Sequence, residues 1–160
     1  PELDAVFVSV GGGSLLAGVA VAIKSVSPQT RVIAVEPESA DVLSQSLLTG
    51  HRRTDATSLS ANAEGIFVAQ IGPEVFRVCD ELVDEVLLVS DEQIRQAVQD
   101  CFLDTRAVLE LQGAISIAGL TKYAQRQVRA RGQPAPSYIA IGSDASNIEL
   151  ERIVSLLQQE

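Results

Sequence analysis

The segment DAVFVSV-GGGS-LLAGVAVAIKS, residues 4–25, restricts the fold more than any other. Asp4 to Val10 is short, apolar and rich in β-branched residues, the pattern of a buried strand. Gly11-Gly12-Gly13 breaks it, and Ser14 to Ser25 is then apolar nearly all round, which predicts a covered helix. A buried strand that turns tightly into a covered helix is the opening of a parallel sheet with helices against its faces.

The rest of the chain repeats that alternation. Arg31–Val35 reads as a second strand, and Glu36-Pro37-Glu38 as a turn into a helix over about Ala40–Leu48, stopped by Gly50. Residues 50–63 are polar and aperiodic, an exposed loop containing His51, the chain's one histidine. Pro73 opens a short helix to about Cys79, since proline suits a first helical turn. Glu85–Val89 is a third strand. Ser90-Asp91-Glu92-Gln93 is a capping box, opening a helix with Ile94, Val98 and Cys101 on one face. A helix over Gly113–Arg131, a turn at Gly132–Pro136 and a strand at Ser137–Ile141 follow. A second capping box at Ser146-Asn147-Ile148-Glu149 predicts a final amphipathic helix through Leu157. The expected fold is a three-layer α/β architecture. Its sheet is twisted and mostly parallel, with helices on both faces, in one domain spanning residues 1–160.

Charge removes several functions. Lys and Arg number 12 against 21 Asp and Glu, a net −9, which opposes binding to nucleic-acid phosphates or anionic membranes. No apolar run reaches the length of a membrane span. Two cysteines outside any CxxC pair, with one histidine, give neither a disulfide framework nor a zinc set, so no metal is expected from them. No signal peptide is visible, and a reduced, cytoplasmic setting is expected.

The glycines carry the chemistry. Three in succession let backbone N–H groups converge without Cβ obstruction, and the following helix adds free amides and a positive dipole end. The combination suits a phosphate, with the Ser14 hydroxyl as an additional donor. Gly13 and Gly18 have P-loop spacing, but Val19-Ala20 follows where Lys-Ser/Thr is required. A dinucleotide fingerprint would use Gly11 and Gly13 but meets Leu16 at its third glycine, although Glu36 ends the next strand where a ribose-binding acid would lie. A Rossmann-like nucleotide binder, or a non-catalytic domain for a phosphate-bearing ligand or a partner chain, therefore remains an alternative.

VGGGSLLAGVAVAIK, VIAVEPESA, AEGIFVAQIG, LVDEVLLVSDEQI and RAVLELQGAISIAGL, in that order, resemble the fold type II pyridoxal-phosphate enzymes, specifically the second half of the threonine/serine dehydratase catalytic region. The resemblance implies that Gly11, Gly12, Gly13, Ser14 and Leu15 hold the phosphate of pyridoxal phosphate, Ser14 standing where the family usually has a fourth glycine. It implies that Gly65 lies against the cofactor ring, that Glu110 lies near the pyridine, and that Ser143 reaches the pyridine nitrogen. Leu111-Gln112 departs from the usual Pro-Ser/Thr after the acid, and Asp144 adds a charge in the last motif. Some relatives hold a divalent cation at positions equivalent to Glu36, Ala40 and Val42, but valine supplies no oxygen ligand, so no metal is assigned.

The family's reaction eliminates water from threonine or serine and releases ammonia and a 2-oxo acid. It uses a lysine that carries the cofactor and removes the Cα proton. That lysine lies upstream of the glycine loop in a Ser-Phe-Lys type segment, which these residues do not contain. Lys24 and Lys122, the two lysines, read as surface residues. The expectation is a chain with no catalytic residue of its own, inactive alone. The chain is expected to form a homo-oligomer or to join a companion chain, and a small hydroxy amino acid would bind only once the missing half completes it.

Overall fold

The computed structural model describes residues 3–53, 71–127 and 135–143. Among these residues four strands and five helices follow in the anticipated order: β1 (Ala5–Ser9), α1 (Ser14–Val26), β2 (Arg31–Pro37), α2 (Val42–Thr49), α3 (Pro73–Leu82), β3 (Glu85–Val89), α4 (Asp91–Thr105), α5 (Leu111–Arg126) and β4 (Tyr138–Ile141). The strands pair in the order β3-β2-β1-β4, every pair parallel, with Ala5 opposite Arg31 on one side and Tyr138 on the other.

Side chains alternate across the sheet and build two cores. Val6, Val8, Val32 and Ala34 face Leu16 and Ala20 of α1, Leu43 of α2 and Cys79 of α3. Phe7, Ile33, Val35, Leu87 and Val89 face Ile94 and Val98 of α4 and Ala114, Ile115 and Ala118 of α5. Burial on both faces explains why the strands read as unbroken apolar runs, each large buried side chain contributing roughly 1.5–3 kcal/mol. Phe7, Tyr123 and Tyr138 meet edge to face, with centroids 5.3 to 5.9 Å apart. The sheet approaches α5 so closely that a Cβ at Gly119 would lie 2.4 Å from Val35 Cγ2.

Connectivity creates a crevice. α1, α2 and α3 carry the chain from β1 to β2 to β3 over one face. α4 and α5 return it over the other face to β4, on the far side of β1. The crossovers thus diverge between β1 and β4, and ligands of open α/β sheets bind at the carboxyl ends of strands at such a point.

Four expectations change. α1 is not covered all round: Leu16 and Ala20 are buried, whereas Leu15, Val21 and Val26 are 44%, 48% and 81% exposed. α5 begins at Leu111 and ends at Arg126 rather than spanning Gly113–Arg131. β2 continues through Glu36 and Pro37, which pair with Leu88 and Val89 of β3 instead of turning. The lysines are structural ties rather than surface residues. Lys24 Nζ donates to Thr30 O at 2.9 Å and lies 2.7 Å from Asp84 Oδ2, and Lys122 Nζ donates to Leu88 O at 2.6 Å. The Ser90 capping box forms with both of its reciprocal bonds. Gly65, the second capping box and the final helix lie outside the described residues. No helix among the described residues is long and apolar enough to cross a membrane.

Candidate functional site

Val10 N–H makes the last bond of the β1 end to β2, donating to Val35 O at 2.9 Å. The chain then leaves the sheet through Gly11-Gly12-Gly13. Gly13 takes φ 78°, the left-handed conformation that an L side chain resists, and caps α1, its carbonyl accepting from Ala17 N–H. A Cβ at Gly13 would lie 2.7 Å from Val75 Cγ1 of α3, so this glycine is required by packing as well as by conformation. Gly12 differs: a Cβ there would meet nothing within 4 Å and would occupy open space.

Among the described residues, no carbonyl or side chain accepts from the amides of Gly11, Gly12, Gly13, Ser14 or Leu15. The first turn of α1 contains no acidic residue. These amides and the positive helix end therefore keep no acceptor among the described residues. They open into a cavity of about 210 Å³ at the β1/β4 divergence. Gly11, Gly12, Gly13, Ser14, Leu15 and Ser143 line it together, uniting the residues after β1 with the residue that follows β4 by two positions.

Ser9, Gln112 and Ile115 also line the cavity and were not anticipated as site residues. Ser116, fully buried in α5, joins the two strands beneath it. Its N–H donates to Ser9 Oγ at 3.1 Å, and its hydroxyl donates to Ile141 O at 2.7 Å. The signal in the sequence was one polar residue on the α5-facing side of an apolar strand: Ala5 and Phe7 are followed at period two by Ser9. Glu110 is the N-cap residue of α5, next to the cavity in sequence, but does not line it.

Glu36 has a different role from any anticipated. It is 1% exposed, and its two carboxylate oxygens accept from Leu43 N–H and Ser44 N–H, each at 2.8 Å. It thus caps α2 from within the sheet, with both oxygens occupied, and is unavailable to a ribose. Burial pushes its pKa up to about 7, the two amide bonds opposing that rise and the Asp41 charge adding to it. Burial and then the Glu36 charge raise the neighbouring Cys79 thiol to about 11, so Cys79 is a core residue rather than a nucleophile. For the cation positions, Val42 opens α2 and Asp41 Oδ2 accepts from Gln45 Nε2 at 2.8 Å. Among the described residues no three His, Cys, Asp or Glu side chains cluster as a metal set.

A parallel sheet whose glycine loop opens free amides into a cavity at the strand divergence defines an α/β domain for a phosphate-bearing cofactor. Over residues 1–135 the sequence matches the pyridoxal-phosphate-dependent enzymes, and the chain belongs to that family. It is 48% identical over 129 residues to the biosynthetic L-threonine dehydratase of Salmonella typhimurium, covering 80% of this chain and 25% of that protein. It is 40% identical over 155 residues to the mitochondrial threonine dehydratase of Saccharomyces cerevisiae, covering 96% of this chain and 27% of that one. The processed form of threonine deaminase isoform 2 from Solanum lycopersicum superposes with a TM-score of 0.83 at 34% identity, over 97% of this chain and 42% of that chain. The chain thus spans about a quarter of the length of these curated relatives.

Pyridoxal phosphate is the cofactor of this family, and the residues fit its phosphate. The amides are free, the Gly12 position is open where a side chain would intrude, and no carboxylate stands in the first turn of α1.

Proposed function

We propose that this chain is the phosphate-holding portion of a threonine/serine dehydratase-type catalytic region. The observation that carries the reading is the set of unengaged amides from Gly11 to Leu15 facing the cavity, in a member of a pyridoxal-phosphate family. The reaction to which it contributes is loss of water and then ammonia from a small hydroxy amino acid, giving a 2-oxo acid. Pyridoxal phosphate, when bound, supplies the electron sink that makes the substrate Cα proton removable. Gly11–Leu15 hold its phosphate through amides, Ser143 serves the pyridine end, Gly65 the ring face, and Glu110 keeps a carboxylate near the pyridine side.

Neither lysine of this sequence is the covalent attachment point. Lys24 and Lys122 are committed to backbone carbonyls, and neither lines the cavity. The reactive amine is supplied by a companion segment, and the chain alone is inactive. The exposed Leu15, Val21 and Val26 of α1 are the surface for such a companion or for a second copy. A cytoplasmic setting belongs to the same reading.

Calorimetric titration with pyridoxal phosphate and with unphosphorylated pyridoxal tests the cup. The phosphorylated form is expected to bind at least roughly tenfold tighter, since hydrogen bonds to a charged group contribute about 1.5–3 kcal/mol. Gly12→Val is expected to remove that advantage. Equal binding of the two ligands, or an unaffected variant, would remove the reading. Borohydride treatment followed by mass spectrometry is expected to find no cofactor on Lys24 or Lys122; a stoichiometric adduct on either would overturn the lysine assignment.

A further inference from the structure

One polar side chain of the cavity has no part in the cup as described. Ser9 is the last residue of β1, and its side chain shares the α5-facing side of the strand with Ala5 and Phe7. Its oxygen accepts Ser116 N–H at 3.1 Å. Ser116 is itself fixed, being fully buried with its hydroxyl donating to Ile141 O at 2.7 Å. A serine hydroxyl has one proton to give and two lone pairs to receive. With one lone pair held by an amide on a packed helix, the proton is confined to the remaining directions. Among the described residues no acceptor takes it, and Ser9 lines the cavity. The groups that share the lining are chiefly amide donors, so the acceptor that completes Ser9 is an electron-rich group of a ligand.

We propose that Ser9 is a further contact of the cofactor phosphate, donating its hydroxyl proton to a phosphate oxygen, and that Ser116 is the positioning residue that aims it. The proposal rests on the phosphate-cup reading given above. The result is a chain of hydrogen bonds: Ser116 hydroxyl to Ile141 carbonyl, Ser116 amide to Ser9 oxygen, and Ser9 proton to phosphate. Such chains strengthen when the terminal acceptor is charged. Occupancy of the cup is thereby coupled to the seam between β1 and β4.

The test uses the 160-residue chain with inorganic phosphate, pyridoxal phosphate and pyridoxal as separate probes. Ser9→Thr and Ser9→Val have matched shapes and differ in the hydroxyl. The valine variant is expected to bind phosphate and pyridoxal phosphate roughly tenfold more weakly than the threonine variant, while the two bind pyridoxal alike. A merely structural role would weaken all three ligands together. Equal phosphate affinity in the two variants, or a parallel loss of pyridoxal, overturns the proposal. Should the valine variant not fold, the unaltered protein supplies the readout. On phosphate titration the Ser116 amide resonance is expected to shift with the same midpoint as that of Gly12, and a stationary Ser116 resonance overturns the proposal. If the valine variant loses phosphate and the threonine variant keeps it, both readings stand. If the unaltered chain binds phosphate but the Thr and Val variants do not differ, Ser9 alone fails. If the unaltered chain binds no phosphate, the cup fails and Ser9 with it.

Discussion

Two helices leave the same end of this sheet and meet opposite fates. α1 follows β1 through the glycines, with no acid in its first turn and no side-chain cap. α2 follows β2, and Glu36 of that strand presents a carboxylate to the amides of Leu43 and Ser44. Both corners collect N–H groups at a positive helix end. One is closed by an anion built into the chain, and the other keeps its amides without an acceptor among the described residues. The difference teaches that a helix start becomes a binding site only where the fold withholds its own acceptor.

The largest expected effect comes from damaging the open corner. Gly13→Ala must adopt φ 78° and push against Val75. Left-handed strain of about 1–2 kcal/mol and overpacking of about 1–3 kcal/mol predict a loss of about 2–5 kcal/mol by urea denaturation. A change under about 0.5 kcal/mol would mean that α3 does not brace the loop.

The closed corner gives a slightly smaller, pH-dependent effect. Burial raises the Glu36 pKa from 4.5 to about 7, so the folded state holds this proton more tightly than the unfolded chain does. Its contribution to stability is therefore full below about pH 4.5 and declines as pH rises through about 7. Glutamine is uncharged but can accept only one of the two amide bonds, its NH2 group facing the other N–H. Glu36→Gln is therefore expected to be less stable than the unaltered protein at acid pH and to recover about 3 kcal/mol relative to it by pH 8, at about 1.4 kcal/mol per pKa unit. Denaturant midpoints across that range check this, and a difference that does not move with pH contradicts it. The sign sharpens the contrast, because two amide bonds offset only part of the cost of burying the charge.

The smallest effect on stability comes from making the open corner resemble the closed one. Ser14→Asp places a carboxylate in the first turn of α1. It is expected to raise ligand-free stability by about 0.5–1 kcal/mol, measured by thermal midpoint. The same variant is expected to lower phosphate affinity at least roughly tenfold. Undiminished phosphate binding would break the comparison.

These corners also mark how far the sequence could be read. Strand and helix order was visible because burial on both faces makes continuous apolar strands, and because glycine, proline and capping boxes punctuate them locally. The glycine corner was visible because three adjacent glycines need no distant partner to explain them. Glu36 misled because an acid at a strand end looks the same whether it awaits a ribose, a cation or a helix; only the position of the α2 amides decides. Lys24 and Lys122 misled for the same reason, since Lys24 is paired with Asp84 before β3 and Lys122 with the Leu88 carbonyl of β3. Ser9 joins Ser143 only through the β1–β4 pairing, Gln112 reaching them from α5 packed over both strands, and no local pattern states which strands will be neighbours.

That pairing has a kinetic consequence. Asp4 N–H donates to Ser137 O at 2.9 Å, and Asp4 Oδ2 accepts from Ser137 N–H at 2.7 Å. The seam therefore joins residues 133 positions apart, and the entropy of closing so large a loop precedes any reward from the contacts. During translation the triple glycine leaves the ribosome well before the opposing wall that carries Ser143. A nascent chain halted short of β4 would carry the amides yet lack the wall at Ser143, so the cavity should be completed only in a late step of folding.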